Sequence, residues 1–117
     1  MPIIEALRQR SQFLATAASG KKWVAPGLIL QIAKRQIHDP ISPLRYGLTA
    51  SSKVGNAVVR NRARRRLRAL AQEILPLHAL LGHDYVLIAR QTTIKRSYMA
   101  LQQDLITALK KLKAWRD

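Results

Sequence analysis

Arginines at positions 60, 62, 64, 65, 66 and 68 are the residues of this chain best suited to do chemistry, and that chemistry is the binding of phosphate. Guanidinium is planar, stays charged, and forks onto two phosphate oxygens at once, which a lysine ammonium does not do. No carboxylate stands anywhere between Asp39 and Glu73, a stretch that also holds Arg45 and Lys53. On a helix, at about 100° per residue, Val59, Ala63, Leu67, Leu70 and Ile74 fall on one apolar stripe. Arg60, Arg64 and Arg68 form a second stripe with Asn61 and Arg65 beside it, while Arg62 and Arg66 flank the other side of the apolar one. Like charges one turn apart repel, at a cost of roughly a few tenths of a kcal/mol per pair. Nothing acidic inside the helix relieves that cost, so a polyanion partner is the reading the pattern favours.

Two blander readings compete. A merely solvated face usually mixes signs, and this one does not. A membrane-surface helix needs Trp or Phe on its apolar side, and none stands there. Just before the helix, Ser51-Ser52-Lys53-Val54-Gly55-Asn56 offers a permissive glycine and an N-capping asparagine, and free N–H groups at a helix start suit an anion. A plain turn with an asparagine cap accounts for Gly55 and Asn56 equally well. The phosphate-loop pattern GxxxxGK[ST] is absent, so nucleotide hydrolysis is not supported.

Other chemistry is thinly represented. His38, His78 and His83 lack metal-ligand spacing, the 6 acids are scattered, and Ser51 and Ser52 have no partner base in view. Cysteine is absent, which excludes disulfides, thiolate metal sites and thiol nucleophiles and suits a reducing cytoplasm. Phe13 and Trp23 could be core or a stacking platform for unpaired bases. Tyr85, inside an apolar run, reads as core.

The elements that must position the arginines follow from periodicity and punctuation. Residues 3–18 have roughly helical apolar spacing, with Gly20 as a C-terminal signal. LILQIA (28–33) reads as a strand, 36–43 as a loop or wide hairpin turn with two prolines, and Arg45–Ser51 as a strand alternating Tyr46, Leu48 and Ala50 against Arg45, Gly47 and Thr49. The arginine helix runs from its cap Asn56 to about Leu75, before Pro76. Residues 76–84 form a connector with Gly82 and Asp84 as turn residues, and Tyr85–Ala89 is a buried strand. A last helix from about Ser97 turns Leu101, Leu105, Ala108, Leu109 and Leu112 inward. Helix, strands, helix, strand, helix means an α/β layer with helices on a small sheet.

With 117 residues, the chain fits one domain, 1–117. A hydrophobic fraction of 48% and a mean hydropathy of −0.11 permit a packed core. A net charge of +15 sets it apart. No stretch is apolar enough for a bilayer, and Glu5, Arg8 and Arg10 spoil a secretory signal.

The segment RYGLTASSKVGNAVVRNRARRRLR (45–68) resembles the protein subunit of bacterial ribonuclease P. That family carries an R-x-G-L-x-x-S strand followed by K-[IV]-G-N-A-V-x-R-N-R-x-[KR]-R-x-x-R. Lys53, Gly55, Asn56, Ala57, Val58, Arg60, Asn61, Arg62, Arg64, Arg65 and Arg68 match it. GHDYVLIAR (82–90) is similar to the family's G-x-D-Y-V-x-I-A-R, and Leu7-Arg8, Ser11-Gln12-Phe13 and Gly20-Lys21-Lys22 resemble its first helix and turn. The chain departs at Ala17 and Gln31, where aromatics are common, at Ser52, where a second lysine is common, and at Arg66, where an aliphatic is common.

The resemblance implies a two-layer α+β fold: a small mixed sheet of about four strands, three helices, and a left-handed β-α-β crossover carrying the arginine helix. It implies a noncatalytic, cytoplasmic partner of ribonuclease P RNA, which removes the 5′ leader of precursor tRNA with magnesium held mainly by the RNA and none by the protein alone. Lys53, Asn56, Arg60, Asn61, Arg62, Arg64, Arg65 and Arg68 would bind the RNA; Phe13, Gln31 and Tyr46 would line a leader groove between the sheet and the first helix. No membrane or DNA partner is expected. A protein of another ribonucleoprotein would share the charge without the signature, and a nuclease acting without RNA would need grouped carboxylates.

Overall fold

The structure, a computed structural model, describes residues 4–35 and 44–117. Its elements run β1 (Ile4–Ala6), α1 (Arg10–Ala18), β2 (Lys21–Val24), β3 (Leu28–Lys34), β4 (Leu44–Thr49), α2 (Ala57–His78), β5 (His83–Ala89) and α3 (Tyr98–Lys111). The strands form one mixed sheet of 5 in the order β1-β4-β5-β3-β2. β1, β4 and β5 are parallel, β3 runs antiparallel to β5, and β2 antiparallel to β3.

Alternation along the strands sorts the side chains into two faces. Leu28, Leu30 and Ile32 of β3, Leu44 and Tyr46 of β4, and Tyr85, Leu87 and Ala89 of β5 join Ala63, Leu67, Leu70 and Ile74 of α2 and Leu101, Leu105, Ala108 and Leu109 of α3 in the buried core. The apolar stripes expected on both helices are thus the ones buried, with Val59 and Leu112 packed partly buried at the margin. α1 packs on the opposite face, against β3 and β5.

Two short edge strands raise the count above four. Residues 3–18 were expected to be one helix, but Ile4–Ala6 pair with Leu44–Tyr46 and the helix starts at Arg10. There the Gln12 side chain turns back to the N–H groups of Arg8 and Gln9. A three-residue edge strand is too short to show a period of its own, and its pairing partner is distant in sequence. β2 reads KKWV, too polar to stand out.

The crossover from β4 through α2 to β5 is left-handed. Tyr46 points its side chain at α2, where Gln72 Nε2 donates to its hydroxyl at 3.2 Å. Its carbonyl points at β1, accepting from the Leu7 N–H at 2.6 Å. For an L residue on a strand running upward, with its side chain toward the viewer, the carbonyl points right. Seen from α2, β1 therefore lies right of β4 and β5 lies left, against a preference of about 98% for the other hand.

α2 begins and ends by identifiable devices. Asn56 Oδ1 accepts from the Val59 N–H at 2.9 Å, and Gly55, at φ +153°, has no room for a side chain because a Cβ there would lie 2.8 Å from Val59 Cγ1. Asn56→Ala is expected to cost about 1 kcal/mol, read as a lower midpoint in urea unfolding with an unchanged slope. The helix runs past the expected stop at Leu75, because Pro76 sits in its last turn, where the missing N–H deprives only the Gln72 carbonyl. Arg116 then folds back, donating from Nη2 to the Pro76 carbonyl at 2.8 Å and from Nε to that of Ala79 at 3.1 Å. His78 stacks on Trp115 with ring centres 4.3 Å apart, fixing the C-terminal segment to this end of α2.

Asp84 is a strand residue and not a turn residue. Buried on β5, it accepts from Arg45 Nε at 2.7 Å and Nη2 at 2.6 Å, with Arg35 Nε at 3.9 Å. The segment 36–43 lies outside the described residues; the strands flanking it, β3 and β4, are separated by β5 and so are not a hairpin pair.

Candidate nucleic-acid interface

α2 buries its apolar stripe and leaves its arginines on the outside. Lys53, Asn56, Asn61, Arg62, Arg65 and Arg68 are exposed, while Arg60 and Arg64 are half-buried along the stripe that leans toward the end of β4. Arg64 Nη1 donates to Asn61 Oδ1 at 3.0 Å, and its Nη2 lies 3.4 Å from the Ala50 carbonyl. Arg60 Nε is buried with no hydrogen-bond partner. Asn56 spends its side-chain oxygen on the cap.

Among the described residues, no carboxylate forms an ion pair with Arg60, Arg62, Arg64, Arg65 or Arg68. Two buried acids are committed elsewhere: Asp84 to Arg45 and Arg35, and Asp104 to Arg96 at 2.7 Å and to the Gly27 N–H at 3.0 Å. Glu73, the only acid on α2, accepts from Tyr98 at 3.0 Å and Gln102 at 2.5 Å. Burial, then this carboxylate, push the Tyr98 phenol up to about 12. What remains on the N-terminal half of α2 is a field of uncompensated guanidinium groups, the arrangement that attracts and holds a phosphate backbone.

The face under α1 is built differently. Phe13 packs against Gly47, where an added Cβ would sit 2.4 Å from the ring, so glycine is what lets the aromatic approach the sheet. Gln31 faces the same way, half-buried, in register with Lys22 and Val86. Thr49, Ile88 and Ile29 align across the strands on this face, all half-buried, at the end of the sheet from which the chain passes into α2. Phe13 and Gln31 thus lie on the same face of the sheet, the one that α1 covers.

Tyr46 does not share it. The expected third member of the groove is buried on the opposite face, under α2, because it alternates with Gly47 and lies in phase with Leu48. Trp23 also faces the core side, opposite Leu30, with Lys111 Nζ 5.7 Å from its ring centre, so it is a margin of the core and not a stacking platform. Sequence reading also missed the Arg45–Asp84 pair, whose only signal was an arginine and an aspartate in neighbouring strands. No group of three or more His, Asp or Glu side chains gathers as a metal site among the described residues. Among the described residues, no helix is long and apolar enough to cross a membrane.

Fold and surface together define a class: a small α+β protein whose left-handed crossover displays a basic helix on one side of a mixed sheet. A family model described as Ribonuclease P matches residues 1–113, and the chain belongs to the ribonuclease P protein family. The ribonuclease P protein component of Paramagnetospirillum magneticum is 50% identical over 112 residues, covering 95% of this chain and 84% of that one. The corresponding protein of Gluconacetobacter diazotrophicus is 46% identical over 105 residues, covering 90% and 88%. In fold, the chain is similar to the RNase P protein of Staphylococcus aureus, with a TM-score of 0.77 at 24% identity over 95% of this chain and 97% of that one. The RNase P protein from Thermotoga maritima gives 0.73 at 23% identity over 91% and 96%.

Proposed function

We propose that this protein binds the RNA subunit of ribonuclease P and the 5′ leader of precursor tRNA, assisting magnesium-dependent endonucleolytic removal of the leader in the cytoplasm. The observation that carries the reading is the row of α2 arginines with no carboxylate partner among the described residues. Lys53, Arg60, Arg62, Arg64, Arg65 and Arg68 neutralise phosphates of the RNA; Asn61 helps hold Arg64, and Asn56 fixes the helix start. Screening clustered phosphates lowers the magnesium that a folded, substrate-bound RNA requires.

The leader passes along the α1 face. Phe13 offers a ring to an unpaired base, and Gln31 a side-chain amide to a base edge or sugar. With Ala17 exposed beside them, the groove holds few stacking surfaces, so leader binding leans on backbone charge. Bond cleavage and magnesium belong to the RNA in this reading, and the protein contributes binding and screening.

Co-purification tests the choice of partner. The protein captured from its own cells should carry one abundant non-ribosomal RNA together with precursor tRNA. Capture of ribosomal particles would point to a different assembly.

A further inference from the structure

Arg66 sits inside the arginine run, yet its guanidinium turns inward. Nη1 donates to the carbonyls of Thr93 at 2.6 Å and Ile94 at 2.7 Å, and Nη2 donates to the Arg96 carbonyl at 2.7 Å. Three convergent carbonyls use the guanidinium fork much as a phosphate would. They belong to the segment 90–96, between β5 and α3.

That segment touches both halves of the molecule. On the sheet side, Arg90 Nη1 donates to the Ala25 carbonyl at 2.6 Å, Thr92 Oγ1 to that of Pro26 at 2.5 Å, and Thr93 Oγ1 to that of Gly27 at 2.7 Å. On the other side, Gln91 Nε2 donates to the Lys53 carbonyl at 2.9 Å. Lys53 is exposed in the turn that leads into α2. A continuous chain of contacts therefore runs from Arg66 through the 90–96 segment to Lys53.

We infer that Arg66 is a positioning residue for RNA binding: it clamps the 90–96 segment to α2, so that Gln91 holds Lys53 in place, and it neutralises no phosphate itself. The inference rests on the RNA-binding reading above. Its structural half, the link from Arg66 to Lys53, can be read without RNA.

The test uses the full chain at a temperature where every variant is folded by circular dichroism. Binding to a bacterial ribonuclease P RNA is measured for Arg66→Met, Lys53→Ala and the double variant. Each single change should weaken binding about fivefold, the order expected for one phosphate contact. The double variant should bind no more weakly than Lys53→Ala, because both changes remove the same contact. Additive losses, about 25-fold in the double variant, would overturn the inference by giving Arg66 a phosphate of its own. Wild-type affinity with a lower melting temperature in Arg66→Met would overturn it by making Arg66 purely structural.

Amide exchange in the free protein reads the link directly. The Val54 N–H donates to the Ser51 carbonyl at 3.0 Å in the Lys53 turn. Its exchange should quicken about tenfold in Arg66→Met and in Gln91→Ala as the turn loosens. Unchanged exchange would remove the clamp. Failure of the wild-type protein to bind RNA would overturn the proposed function and the purpose of the clamp, while Val54 exchange would still report whether the clamp exists.

Discussion

Replacing Arg62, Arg65 and Arg68 together by alanine should weaken binding to ribonuclease P RNA by about 100-fold at moderate salt, at about fivefold for each lost phosphate contact. These three are exposed, and among the described residues their guanidinium groups carry no hydrogen bond, unlike those of Arg64 and Arg66. The salt dependence gives a second reading of the same effect. With about six phosphates neutralised, log affinity against log salt should slope at roughly −4 to −5 in the wild type, and the triple variant should flatten it by roughly 2 to 3. Melting temperature should stay equal or rise, because repulsion is relieved and alanine is the best helix former. A wild-type slope near −1 would remove the electrostatic account, and loss of folding in the triple variant would make the arginines structural.

Asp84→Ala should act on stability. The carboxylate is buried between Arg45 and Arg35, with 9% of its side chain exposed against 22% and 11% for the two arginines. Removing it takes away the bidentate acceptor of Arg45 on the adjacent strand and the carboxylate 3.9 Å from Arg35, so a close buried ion pair is broken from its acidic side. Breaking such a pair from one side costs about 3 kcal/mol or more. In a domain of this size the melting temperature should fall by about 10 °C. Thermal unfolding followed by circular dichroism checks it, and a shift of only a degree or two would show that the pair is well solvated. The two predictions separate: the arginine variant loses RNA and keeps its fold, whereas Asp84→Ala loses stability first.

How far the sequence foretold this molecule depended on whether a feature was local. The α2 stripe, the Asn56 cap, the Ser97 start of α3 and the three long strands each follow from residues within a few positions of one another. β1 did not, because Ile4–Ala6 become a strand only by pairing with Leu44–Tyr46, and the same residues fit a helical period. Asp84 followed Gly82 and so looked like a turn residue; the partner that makes it a buried strand residue lies 39 positions earlier. Crossover handedness was legible only through the family motif, since the general preference favours the opposite hand. Tyr46 was a misplacement with a signal available: its phase with Leu48 and Ala50 puts it on the core face, away from Phe13 and Gln31.

At the candidate interface the arginine count was readable, but the division of labour within it was not. Arg66 has the same side chain and the same helical neighbourhood as Arg62. Its place at a commonly aliphatic position of the family motif was the one sequence signal; the three carbonyls brought up by the segment before α3 show what it does there. Likewise, the alignment of Thr49, Ile88 and Ile29 on the α1 face depends on strand register, which no local pattern sets.

Reconstitution tests the central claim most directly. Precursor tRNA is incubated with a bacterial ribonuclease P RNA at magnesium too low for the RNA to act well alone, with and without this protein. The account predicts that the protein restores removal of the 5′ leader, that protein without RNA cuts nothing, and that the Arg62, Arg65 and Arg68 variant restores little. Leader removal by the protein alone, or RNA activity that the protein leaves unchanged, would contradict it.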